Sequence, residues 1–116
     1  MSDTPKTLFE KIIAREIPAT IVYEDEHCVA FRDINPCAPM HLLLVPRQPL
    51  VKLSDATAAD QALLGHLMLA ATHVAKTQGL GDNYRLVVNN GAGAGQSVFH
   101  LHLHIIGGRP LRWPPA

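Results

Sequence analysis

The chain has 116 residues, enough for one domain with a buried core, and 47% are hydrophobic against 17% charged, which excludes an intrinsically disordered chain. Ten basic residues balance ten acidic ones, so no partner is expected to bind through bulk positive charge, nucleic acid included. The opening Met1-Ser2-Asp3-Thr4-Pro5-Lys6 does not read as a signal peptide, and no apolar run is long enough to span a bilayer, so no membrane is expected.

Thr7-Leu8-Phe9-Glu10 has the capping-box form and predicts a short helix with Phe9, Ile12 and Ile13 on one side, stopped by Pro18. Two β-rich runs, 20–24 and 27–32, are joined by Asp25-Glu26 with the spacing of a tight hairpin. Cys28 falls in the second run, and with Cys37 it reads as a reduced thiol of a cytoplasmic protein. Pro36 and Pro39 frame a rigid loop before a third strand, 41–45, halted by Pro46. Leu63, Leu64, Leu67, Ala71 and Val74 recur at three- and four-residue spacing, predicting a helix over 58–78. Gly79 is its C′ residue, and Asp55 and Asp60 lie near its positive end. His66 and His73 on that helix, and His27 in the turn, read as ordinary surface or interface positions. A strand over 84–88, a glycine-rich turn over 89–97 and an apolar segment over 98–106 complete the order α-β-β-β-α-β-β. Hairpin-length connections without alternating βαβ units predict an α+β fold with an antiparallel sheet. The expectation is a single domain over 1–116, with a short flexible N-terminus (1–6) and a C-terminal tail (109–116). The Leu111-Arg112-Trp113-Pro114-Pro115-Ala116 ending is too apolar to be left in water, so docking on this or a second subunit is expected.

His100-Leu101-His102-Leu103-His104 carries the chemistry. Residues two apart share a strand face, which would align the three imidazoles and send Leu101, Leu103 and Ile105 into the core. Imidazole titrates near neutrality and serves as nucleophile, proton carrier or metal ligand. The preceding Asn89-Asn90-Gly91-Ala92-Gly93-Ala94-Gly95-Gln96-Ser97 has glycines at alternate positions, a composition that lets backbone N–H groups approach phosphate oxygens. It is neither a Walker loop nor a Rossmann loop, since it feeds a strand. His41, opening an otherwise apolar strand, is a candidate to join the row. Two mechanisms fit: a three-histidine zinc site with a bound water, or phosphoryl-group chemistry with an imidazole nucleophile. The adjacent glycines favour the second.

His100-Leu101-His102-Leu103-His104-Ile105-Ile106 fills all seven positions of the histidine-triad motif, histidines alternating with apolar residues. The chain resembles the histidine triad (HIT) superfamily, most closely its histidine triad nucleotide-binding protein (HINT) branch. Further matching stretches are Phe9-Glu10-Lys11-Ile12-Ile13, Phe31-Arg32-Asp33-Ile34-Asn35-Pro36, His41-Leu42-Leu43-Leu44-Val45-Pro46, Gly95-Gln96-Ser97-Val98, and Gly107-Gly108-Arg109 through Trp113-Pro114-Pro115.

The resemblance implies a five-stranded antiparallel sheet with two helices, dimerised into a continuous ten-stranded sheet. It implies a purine nucleoside phosphoramidase that cleaves the P–N bond of adenosine 5′-phosphoramidates through a nucleotidyl-histidine. His102 would be the nucleophile, and His104 would contact the phosphate and assist protonation of the leaving amine. His100 and His41 would fix the imidazole tautomers. Gly95, Gln96, Ser97 and Val98 would lie against the phosphate and leaving group, Ser97 with a catalytic part, and Asn89 on the phosphate or ribose side. Asp33 would accept the ribose hydroxyls, and Phe9, Ile12, Phe31, Ile34 and Leu43 would form the base pocket. Trp113 would reach the active site of the partner in a homodimer. No metal and no other cofactor is implied. The transferase branch carries glutamine in place of the third histidine, so His104 favours hydrolysis. A dinucleoside polyphosphate hydrolase and a nucleotide-binding regulatory module with incidental hydrolysis remain the alternatives.

Overall fold

A computed structural model describes residues 5–116. The flexible N-terminus expected over 1–6 falls mainly on residues outside those described; Lys6 itself pairs with Glu16. Helix α1 spans Leu8–Ile13, strands β1 and β2 Ile21–Glu24 and Cys28–Arg32, and β3 Met40–Pro46. Helix α2 follows over Gln61–Thr77, then β4 over Tyr84–Val87 and β5 over Leu103–Gly107, with short 3-10 turns between. The sheet is five-stranded and antiparallel throughout, in the order β1-β2-β3-β5-β4. Among the described residues no helix is long and apolar enough to cross a membrane.

The sheet is covered on both faces, so β2 and β3 are apolar at nearly every position. Cys28, Ala30, Leu42, Leu44, Leu101, Leu103 and Ile105 pack with Leu67, Ala71 and Val74 of α2. Val29, Phe31, Leu43 and Val45 face the other way and pack with Phe9 and Ile12 of α1. Truncating a fully buried leucine such as Leu42 to alanine costs roughly 2–5 kcal/mol in such a core.

Thr7 and Glu10 form the reciprocal cap foreseen at the start of α1, which contributes about 1 kcal/mol to its stability. The helix ends at Ile13, earlier than Pro18: Arg15 takes a left-handed φ of 61° and turns the chain. Ile17 and Ala19 then pack beside the sheet instead of continuing a helix. In the β1–β2 turn, Asp25 Oδ1 accepts the N–H groups of His27 and Cys28 at 2.7 and 2.9 Å. Pro46 closes β3 from within, opposite Cys28, instead of standing just beyond it. The segment 58–60 is a 3-10 turn capped by Thr57, so α2 proper starts at Gln61, and Gly79 follows its end with φ 87°.

The histidine segment departs from expectation in one respect. The ladder begins only at Leu103, so His104 alone of the three histidines lies in a strand. The Leu101 N–H turns to the carbonyl of Leu50, and the Pro46 carbonyl is taken by His100 Nε2. The alternation nonetheless holds through the unpaired stretch: Leu101, Leu103 and Ile105 are buried on the α2 side.

Candidate active site

A cleft of about 280 Å³ opens between α1, the segment after it and the sheet. Its lining includes Phe9, Ile12, Phe31, Asp33, Ile34, Leu43, Ser97, Val98, His102 and His104, ten of the residues anticipated from sequence. Phe9 stands edge-on to Phe31 and to the ring of His102, with centroids 5.5 and 4.8 Å apart. The cap at Thr7 therefore fixes a wall of the cleft as well as a helix end. Ile34 is 85% exposed and forms the rim.

The hydrogen bonds decide each imidazole's tautomer. The carbonyl of His100 can only accept, so His102 Nδ1, 2.7 Å away, carries the proton and Nε2 keeps its lone pair. His100 Nε2 likewise donates to the Pro46 carbonyl at 2.7 Å. His41 Nδ1 accepts the Cys37 N–H at 3.1 Å, which places the proton of neutral His41 on Nε2. That group faces His104 Nδ1 at 2.9 Å, so His104 in turn presents an Nε2–H. This N–H is buried and has no partner among the described residues. Register explains the pairing: Leu43 lies opposite His104, and His41 is its diagonal neighbour on the same face.

Burial disfavours the charged form of His100, His102 and His104. His100 and His102 are both pushed below the usual imidazole range, chiefly because burial disfavours the charged form. His104 falls to about 4, from burial first and then from its neighbours His102 and His41, with Asp33 opposing. Asp33 Oδ2 lies 3.4 Å from His41 Nε2, and its other oxygen accepts the Asn35 N–H at 2.8 Å. The cleft therefore holds a free imidazole lone pair, an imidazole N–H donor and a carboxylate.

Several anticipated residues lie elsewhere. His100 is buried beneath the cleft and acts through the carbonyl that orients His102. His41 is a second layer behind His104. The glycine loop uses part of its backbone internally. The N–H groups of Ala94, Gly95 and Gln96 bond within the loop, and that of Gly91 goes to Gln96 Oε1. Gln96 Nε2 donates to the carbonyls of Val51 and Val98, so this buried side chain holds the loop in place. Gly95 has φ 96° and serves the turn, with Asn89 beside it; neither lines the cleft. Trp113 is 81% exposed and outside the cleft of its own chain, while Arg85 holds the adjacent tail backbone through the Arg112 carbonyl.

The sequence reading missed Leu8, Ile17, Pro18, Ala19 and Asn35, which also line the cleft. Ile17-Pro18-Ala19 is an apolar stretch before a strand, and that composition is the signal for these three. Two groups of described residues bring metal-ligating atoms together: Asp33, His41 and His104 in the cleft, and Asp25, Cys28 and His66 outside it. In the cleft, the nitrogens of His41 and His104 that face each other are engaged with one another, so a metal there would break their pairing.

Comparison with known proteins places the chain in a family. The HIT domain model matches residues 14–111, and the chain belongs to the HIT domain family. It is 65% identical over 110 residues to an uncharacterised HIT-like protein of Synechocystis sp. PCC 6803, covering 95% of this chain and 96% of that one. It is 50% identical over 118 residues to the 14 kDa zinc-binding protein of Zea mays, covering 100% and 91% of the two chains. The crystal structure of a HIT family hydrolase from Legionella pneumophila superposes with a TM-score of 0.92 at 46% identity, covering 96% of this chain and 100% of that one.

Proposed function

We propose that this chain is a nucleoside phosphoramidase of the HINT type, hydrolysing the P–N bond of purine nucleoside 5′-phosphoramidates. The observation that carries the reading is the tautomer pattern: a lone pair on His102 Nε2 beside an N–H on His104, with ring centroids 5.1 Å apart. The likeness to a protein described as a HIT family hydrolase supports the reaction class.

In the proposed sequence, the base lies among Phe9, Ile12, Phe31 and Leu43, and Asp33 accepts the ribose hydroxyls. His102 Nε2 attacks phosphorus and the P–N bond breaks, leaving a nucleotidyl-imidazolium whose Nδ1–H stays on the His100 carbonyl. His104 Nε2–H donates to the phosphoryl group, and the amine leaves with one proton drawn from solvent past it. Water then attacks phosphorus, releases AMP and returns one proton, which restores neutral His102. Two easy displacements replace one hard one. Ser97, at the mouth of the cleft, contacts the leaving amine. The lone pairs the chemistry needs are supplied by imidazoles, so turnover requires no metal in the cleft. The two unpaired cysteines fit a cytoplasmic protein, and the apolar tail fits a homodimer in which Trp113 meets the partner's cleft.

The test compares wild type with His102→Ala on adenosine 5′-phosphoramidate, with AMP binding followed by calorimetry. Loss of turnover with AMP binding retained is expected. Comparable turnover in the variant would overturn the proposal.

A further inference from the structure

The opposite face of the sheet holds a second gathering of ligand atoms, remote from the nucleotide cleft. Asp25 and Cys28 stand at the β1–β2 turn, and His66 reaches them from α2. Asp25 Oδ2 is 2.7 Å from His66 Nε2, and Asp25 Oδ1 is 3.4 Å from Cys28 Sγ. The three groups' ligand atoms all lie within 4.8 Å of one another. Cys28 is fully buried, whereas the side chains of Asp25 and His66 are 22% and 37% exposed, so the cluster can be entered from one side. Each member is rigidly carried: Cys28 by a central β2–β3 ladder, His66 by a 17-residue helix. Asp25 is fixed by two backbone N–H groups and by the Tyr23 hydroxyl at 2.7 Å.

We propose that Asp25, Cys28 and His66 form a zinc site joining the β1–β2 turn to α2. A thiolate, an imidazole and a carboxylate are the donor types zinc takes, and a tetrahedral site with ordinary bond lengths has ligand–ligand edges of roughly 3.3–3.6 Å. The Cys28 Sγ–Asp25 Oδ1 separation already matches such an edge, whereas His66 Nε2 meets the other oxygen at 2.7 Å, so Asp25 binds with both oxygens or turns to present one, and the His66 contact opens by roughly half an ångström. Without a cation the thiol is held protonated: burial and then the Asp25 carboxylate push its pKa up to about 12. A divalent ion reverses that balance, since it favours the thiolate between the same neighbours.

Binding exchanges protons in a defined way. The Cys28 S–H proton goes to solvent as the S–Zn bond forms. The His66 proton moves from Nε2 to Nδ1, which frees the Nε2 lone pair for the metal. Tyr23 keeps its hydrogen bond to Asp25 and orients that ligand from behind. The ring of His27 lies beside that of His66, centroids 4.9 Å apart, and the fourth position is left to it or to water. The ligands come from the β1–β2 turn and from α2, so the metal's effect is to tie these two together and raise the stability of the folded chain.

The experiment uses the full-length protein, freed of metal by chelation, and titrates it with Co²⁺ and then Zn²⁺. Expected are one ion per chain, a thiolate-to-cobalt charge-transfer band, and one proton released per zinc by calorimetry in two buffers. C28S loses the band and C37S keeps it; H66Q weakens zinc binding at least tenfold. H66Q alters a part-exposed helix position, so it decides the matter even where C28S folds poorly. Cobalt bound without thiolate absorption, zinc affinity unchanged in H66Q, or affinity lost in H41N instead would overturn the proposal.

Discussion

Acid places the neutral histidine cluster at a disadvantage whose size follows from one ring. His104 has a folded pKa of about 4 against an ordinary 6.5, because burial and its imidazole neighbours disfavour the cation. In the unfolded chain the same ring takes up its proton near 6.5. Stability from this group is therefore complete above 6.5, declines as pH falls from 6.5 towards 4, and is lost below 4. At about 1.4 kcal/mol per pH unit, the loss reaches about 3 kcal/mol, a large share of a small domain's total. His104→Gln keeps an N–H donor and removes the titration. Urea unfolding of both proteins at pH 7, 5.5 and 4 measures the difference, in which His100 and His102 cancel. The stability gap should move in the variant's favour by up to about 3 kcal/mol on going to pH 4. Parallel curves would refute the burial argument for His104.

The same neutrality sets the pH dependence of turnover: since His102 is pushed below the usual imidazole range, the acid limb of kcat/KM should lie below 6.5, and a limb above that value contradicts a buried neutral nucleophile. Asp33→Ala removes the carboxylate proposed for the ribose, and loss of such charged hydrogen bonds is expected to raise KM for adenosine phosphoramidates by roughly 10- to 100-fold. An unchanged KM would place the ribose elsewhere. Gly107→Ala would put a methyl group 2.9 Å from Leu80 Cδ2 and 3.1 Å from the Asn83 carbonyl, at the end of the triad strand. A loss of roughly 1–3 kcal/mol in urea unfolding is expected, and a neutral result would show that Leu80 yields freely.

What the sequence disclosed, and what it hid, divides along the range of the interactions. The spacing of His100, His102 and His104 is local and of period two, so their common side could be read without coordinates. The cap at Thr7 and the register-compatible position of His41 were legible for the same reason. The tautomers were not, because they depend on which backbone group each ring meets after folding: the Pro46 carbonyl, far along the chain, for His100, and the nearby His100 carbonyl and Cys37 N–H for His102 and His41. In the loop over 89–97, the composition did not show that the N–H groups of Gly91, Ala94, Gly95 and Gln96 serve the loop's own turn, because that depends on how the chain folds back on itself. His66 read as a surface histidine because its partner, Asp25, belongs to a turn far along the chain, where an acidic residue needs no other explanation.

The account rests on His102 Nε2 as the atom that takes the nucleotide. Quenching a slow adenosine phosphoramidate during turnover with alkaline denaturant, which preserves the acid-labile P–N bond, and mapping the modified peptide tests it most directly. A stoichiometric AMP adduct on His102 Nε2, absent from His102→Ala and lost as product forms, is the predicted result. Product formed with no adduct, or nucleotide carried on His100 or His104, would contradict it.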